Sequence, residues 1–166
     1  MKLELLIIDA NVLIDFCKTE RSILTLVAAH VGVLHVPAPV LDEVKDLDRQ
    51  AAEALGLRIV EIDLATLTKA ANASVGSALA LQDWLCLHAA EEHGWTCVTN
   101  DKRLRAECDS RNVQVMWGLQ LLLRLVEQRT LSVDDAVALA QAIHQINRRI
   151  SKDVIASFIV RAKAVL

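Results

Sequence analysis

The stretch Leu81–Arg105, LQDWLCLHAAEEHGWTCVTNDKRLR, holds a complete passage from helix to strand to helix. Apolar residues recur at helical spacing over Ser77–His93, and Gly94 is a natural left-handed stop. Thr96–Thr99 then reads as a short strand, and Asn100 with Asp101 opens the next helix. Two acids in this passage bear on chemistry. Asp101 stands at the carboxyl end of a strand. Asp83 stands on the helix with Leu79, Ala80, Cys86 and Leu87 one turn away, where a lone carboxylate carries a heavy desolvation cost. A buried ion pair with an Arg or Lys elsewhere is the other explanation for Asp83.

The same alternation extends outward in both directions. Leu3–Ile8 reads as a buried strand that runs directly into Asp9, and Val12–Lys18 as the start of a helix. Val33–Val36 is a second strand, ended by Pro37 and Pro39, which cannot donate to a ladder. Proline suits the entry to a helix near Val40, with Glu43 just inside it. Leu57–Ile62 is a third strand, launched by Gly56, and Val113–Trp117 a fifth. Strands alternating with helices imply a parallel sheet, an α/β/α sandwich. Beyond Gly118 the pattern is helical only: Leu119–Gln128, Ser132–Gln145 and Ser151–Ala164, the last two opened by serine caps. Residues 1–117 thus form the sheet domain. Residues 118–166 form a C-terminal helical extension packed on it, too short to build a core alone.

Asp9 and Asp101 both end strands, and the carboxyl rim of an open α/β sheet is where ligands bind. Helix capping explains either one taken singly. With Asp83 and Glu43 they make four acids from separate segments, a donor set suited to Mg2+ or Mn2+, with no Cys or His placed to compete. Crowded carboxylates raise one another's pKa unless a cation joins them. A cation held this way serves phosphodiester chemistry.

Composition narrows the setting. The 166 residues are 54% hydrophobic, yet no run approaches the ~18 apolar residues of a spanning helix. Glu4 and Asp9 interrupt the N-terminal apolar run, which argues against a secretory signal. A cytoplasmic protein with strands buried on both faces accounts for the hydrophobicity. The net charge of −3 is uneven: residues 1–117 hold 11 Lys+Arg against 17 Asp+Glu, and residues 118–166 hold 7 against 4. Cys17, Cys86, Cys97 and Cys108 form no CxxC pair, and with His88 they match no structural zinc spacing. Reduced, mostly buried thiols are expected.

The segments IIDANVLIDF, VPAPVLDEV, LQDWLCLHAAEEHGWTCVTNDKRLR and VQVMWG resemble, in order, the signatures of PIN-domain nucleases. The resemblance covers roughly Leu3 to Trp117. It implies a PIN-like sandwich and a metal-dependent endoribonuclease in which Asp9, Glu43, Asp83 and Asp101 serve as catalytic and metal-binding residues. Asn11 matches a small polar position of the opening motif. Thr99 and Asn100 match polar positions of the final turn, where they would steady a metal-bound water. Many members carry a further acid past that turn. Lys102, Arg103, Leu104 and Arg105 fill it here, which favours one ion over two. Lys102, Arg103 and Arg105 are either RNA-phosphate contacts or an ordinary solvated helix turn.

Other classes fit less well. A haloacid-dehalogenase-type phosphotransfer site wants D-x-D, and position 11 is Asn. A receiver domain wants adjacent early acids and a Lys ending a late strand. A dinucleotide site wants glycines after the first strand, and DANVL has none. A catalytically silent PIN-like interaction module would have no use for four intact acids. Within the nuclease reading, the resemblance implies either the toxin of a toxin–antitoxin pair or an RNA-processing enzyme without an antitoxin. Leu119, Leu122, Leu123 and Val126 form one helical stripe, and Leu121 and Leu125 lie off it. That surplus points to a homodimer, with an antitoxin-like protein as a further partner. The alternative is that the two later helices cover it within one chain.

Overall fold

The structure is a computed structural model that describes residues 3–165; Met1, Lys2 and Leu166, at the ends of the two expected divisions, lie outside the described residues. Five strands, β1 (Glu4–Ile8), β2 (Gly32–Pro37), β3 (Arg58–Val60), β4 (Thr96–Val98) and β5 (Val115–Met116), make one sheet in the order β3-β2-β1-β4-β5. Every pairing is parallel. The expected α/β/α sandwich with a central parallel sheet is therefore the fold.

β1 lies at the centre because its sequence tolerates burial on both faces. Leu6, Ile7 and Ile8 are fully buried, as the unbroken apolar run required. Chain direction also fixes where ligands can collect. From β1 the chain builds outward to β2 and β3, then crosses back so that β4 lies on the other side of β1, with Ile8 beside Val98. Strand order reverses between β1 and β4, and a crevice opens at such a switch point beyond the strand ends. Asp9 and Asp101 follow those two strands on the same rim.

Ten helices among the described residues complete the chain: α1 (Ala10–Thr19), α2 (Ser22–His30), α3 (Ala38–Leu41), α4 (Arg49–Ala54), α5 (Leu64–Ser74), α6 (Leu81–His93), α7 (Lys102–Ser110), α8 (Gly118–Glu127), α9 (Val133–Ile146) and α10 (Lys152–Ala164). The sequence reading assigned nothing at α2, α4 or α5. α4 and α5 are weakly apolar, each with a single buried residue, so their pattern is faint. β3 and β5 are shorter than expected, being the two edge strands.

Three expectations need correction. The long helix begins at Leu81 rather than Ser77, because Ala80 is already extended, with ψ 166°. Asp83 therefore sits in a first turn at the rim, half-buried, rather than on a stripe inside the core. Glu43 lies in the turn beyond α3, which ends at Leu41, and not within a helix. The third correction concerns α8. Leu121 and Leu125 are as fully buried as Leu122, because α2, α9 and α10 surround the helix. Its apolar surplus is internal and gives no argument for a second subunit. At the far end of α6, Gly94 adopts φ 70° and its N–H caps Ala90, as its identity required.

Candidate active site

Asp9 leaves β1 and caps α1. Its Oδ1 accepts the Val12 N–H at 3.0 Å, and its Oδ2 accepts the Thr99 hydroxyl at 2.5 Å. Thr99 is fully buried just past β4, and its Oγ1 in turn accepts the Asp101 N–H at 3.0 Å. Asp101 caps α7 through Oδ1, which accepts from Arg103 and Leu104. The capping that sequence set against a site role is present at both residues. One hydroxyl joins them across neighbouring strands.

The electrostatics gather all four acids. Burial, partly offset by the bonds from Thr99 and Val12, pushes the Asp9 carboxyl up to about 6, and the charges of Asp83 and Asp101 add to the rise. Asp83 accepts the Ala80 N–H through Oδ2 at 2.9 Å. Burial raises it too, and Asp101 raises it further. Glu43, exposed in its turn, is raised by partial desolvation and then by Asp83. Beneath them the Cys86 thiol is held neutral by its own burial and by Asp9 and Asp83. No Lys or Arg among the described residues forms an ion pair with any of the four acids. The buried ion pair that would have explained Asp83 without a site is not found among them.

A family model for the PIN domain matches residues 5–164. The chain belongs to the PIN-domain family. PIN domains are nucleases that generally depend on a divalent metal, so nuclease is the function class of this chain. A search of curated proteins finds no match. The match runs on through α8, α9 and α10, so the helical extension is part of what the family model describes.

The residues of this PIN domain fit a divalent cation by their chemistry. Four carboxylates and a hydroxyl are hard oxygen donors, and the acids repel one another with no cation to offset them. Among the described residues no three acids, histidines or cysteines form a ready ligand cage, and Asp9, Asp83 and Asp101 each accept a backbone N–H at a helix start.

The remaining candidates divide. Asn100 accepts the Gly118 N–H through Oδ1 at 2.9 Å and so ties the β4–α7 turn to the start of α8. Gly118 permits that approach: a Cβ there would stand 3.1 Å from Val12 Cγ1 and 3.2 Å from Asn100 Nδ2. Asn11, exposed on α1, lines a cleft of about 510 Å³ together with Asn100, Asp101, Lys102 and Arg105. Arg103 is exposed and does not line it. The sequence reading missed Asp15, Lys18, Asn147 and Arg149 on the same cleft. Asn147 donates to Asp15 Oδ2 at 2.9 Å across 132 residues, and no local pattern signals such a pair.

Proposed function

We propose that this PIN domain is an endoribonuclease in which Asp9, Glu43, Asp83 and Asp101 hold Mg2+ or Mn2+. The observation that supports it is the buried Asp9 carboxylate at a sheet switch point, joined through Thr99 to the Asp101 backbone and in no ion pair among the described residues. A bound divalent cation would supply a water of lowered pKa and neutralise charge on the phosphate. Asp9 and Asp101 would be the direct ligands: Thr99 holds the Asp9 carboxylate and the Asp101 backbone beside one another at the ends of adjacent strands. Asp83 and Glu43 orient the attacking water and accept its proton as the P–O bond to the leaving strand breaks. Thr99 fixes Asp9; Asn100 fixes the turn.

RNA as substrate rests on the family resemblance, as does the role of a toxin held silent by an antitoxin-like protein. A cytoplasmic site of action is in keeping with four free cysteines, and no described helix is long and apolar enough to cross a membrane. Labelled single-stranded RNA, single-stranded DNA and duplex RNA incubated with Mg2+, Mn2+ or EDTA test the reading. Cutting of RNA that EDTA stops and Asp9→Asn abolishes is the expected result. Undiminished cutting in EDTA, or by the variant, refutes it. A chain that cuts nothing under any of these conditions is instead a silent interaction module.

A further inference from the structure

The cleft beside Asp101 draws its cations from three separate segments of the chain. Lys18 comes from α1, Lys102 and Arg105 from α7, and Arg149 from the connection between α9 and α10. Among the described residues these four cations are in no ion pair. Arg105 is set in advance: its guanidinium lies 3.7 Å from the centre of the Trp117 ring, and its Nε is buried without a hydrogen-bond partner. The far wall is also fixed, because Asn147 donates to the buried Asp15. The extension carries 7 Lys+Arg against 4 Asp+Glu and faces an acidic body here.

We infer that this cleft is the track of the substrate strand. Lys18, Lys102, Arg105 and Arg149 hold consecutive phosphates of single-stranded RNA as it passes Asp101. The inference rests on the nuclease reading above and adds which surface leads the strand to the acids. Four acids at a reaction centre repel a polyanion, and cations beside them restore attraction. A cleft of about 510 Å³ is the size of a small-molecule pocket, so it takes a nucleotide or two of a single strand, with the cations of its lining on the flanking phosphates. Trp117 is its one aromatic lining residue, and Arg105 covers a face of that ring. The grip is therefore on phosphate and indifferent to base.

The test is fluorescence anisotropy of labelled oligouridine and oligoadenosine with the full chain in EDTA, which leaves the strand uncut, over a range of salt. Four phosphate contacts on a single strand correspond to a slope of log affinity against log salt of about −3. Lys18→Ala and Arg149→Ala should each flatten that slope by about 0.7, equally for both oligonucleotides. Lys163→Ala, the same charge change on α10 away from the cleft, should leave it unchanged. Slopes in the cleft variants matching Lys163→Ala overturn the proposal, as does absence of binding at low salt or a loss confined to one base. Binding of an oligoglutamate peptide through the same side chains, with no competition from RNA, overturns it in favour of an acidic protein segment. EDTA-sensitive cleavage with unmoved slopes retains the nuclease and removes the track. Slopes that move as stated with no cleavage under any metal do the reverse.

Discussion

The Thr99 hydroxyl donates to Asp9 Oδ2 at 2.5 Å, joining two residues ninety positions apart at the ends of adjacent parallel strands. Its oxygen also accepts the Asp101 N–H, so a single buried side chain sets the spacing of two acids. Both are capping residues, and each carboxylate is held to its own helix by the N–H groups from which it accepts. The bond across β1 and β4 is what makes them a pair.

Thr99→Val keeps the shape and removes that bond. Asp9 Oδ2 loses its donor, and the part-buried Asp101 N–H loses its acceptor. Metal-dependent cleavage should fall roughly 10–100-fold, the usual effect of removing a group that orients a ligand. Thr99→Ser should restore most of it. Equal activity in the Val and Ser variants would show that Asp9 needs no orienting.

The pH dependence of the metal-free chain follows from Asp9. Its folded pKa of about 6 lies above the ordinary 3.8, so the folded state binds the proton more tightly than the unfolded state does. The stability this contributes is full below 3.8 and is lost as pH rises through about 6. Asp83 and Glu43 are shifted in the same direction. In EDTA, urea unfolding should therefore show the chain more stable near pH 5 than near pH 7, by about 1 kcal/mol from Asp9 alone. Asp9→Asn should flatten the difference. A chain that is more stable near pH 7 contradicts the assignment.

Added Mg2+ or Mn2+ should raise the melting temperature of the wild-type chain near pH 7 and have little effect on Asp9→Asn or Asp101→Asn. The gain should shrink as pH falls below about 6, where protons compete for Asp9. A melting temperature insensitive to metal at every pH would count against these acids as ligands.

Asn147→Ala leaves the Asp15 carboxylate buried with one hydrogen bond fewer. A loss of about 1–3 kcal/mol in stability is expected. Amide exchange should quicken around Ile146–Ser151, the segment carrying Arg149, while β1 and β4 keep their protection. Unchanged exchange there would mean that other contacts hold the wall.

Light scattering on the purified chain should give a monomer at micromolar concentration. The surplus that suggested a dimer, Leu121 and Leu125, is buried by the chain's own helices. The most exposed large apolar side chains, Leu64, Val75 and Val160, are scattered singly, which calls for no partner. A dimer would show that another face associates.

The sequence by itself determined the sheet, its direction and the rim on which Asp9 and Asp101 lie. Those features are written in periods of a few residues: apolar runs for two-sided burial, Gly94 at a helix end, serine and aspartate at helix starts. An acid on an apolar helix pointed to Asp83, though its place is the first turn at the rim rather than a core stripe, and the family signatures pointed to Glu43, which lies in a turn rather than a helix. Tertiary structure decided what depends on where separate segments meet. Leu121 and Leu125 looked like surplus because a helical wheel cannot know that α2, α9 and α10 close round the helix. The bond from Asn147 to Asp15 and the cleft that takes Arg149 beside Asp101 arise only when the chain folds back across 132 residues. Such contacts have no period in the sequence, because they are set by how packed layers meet in space.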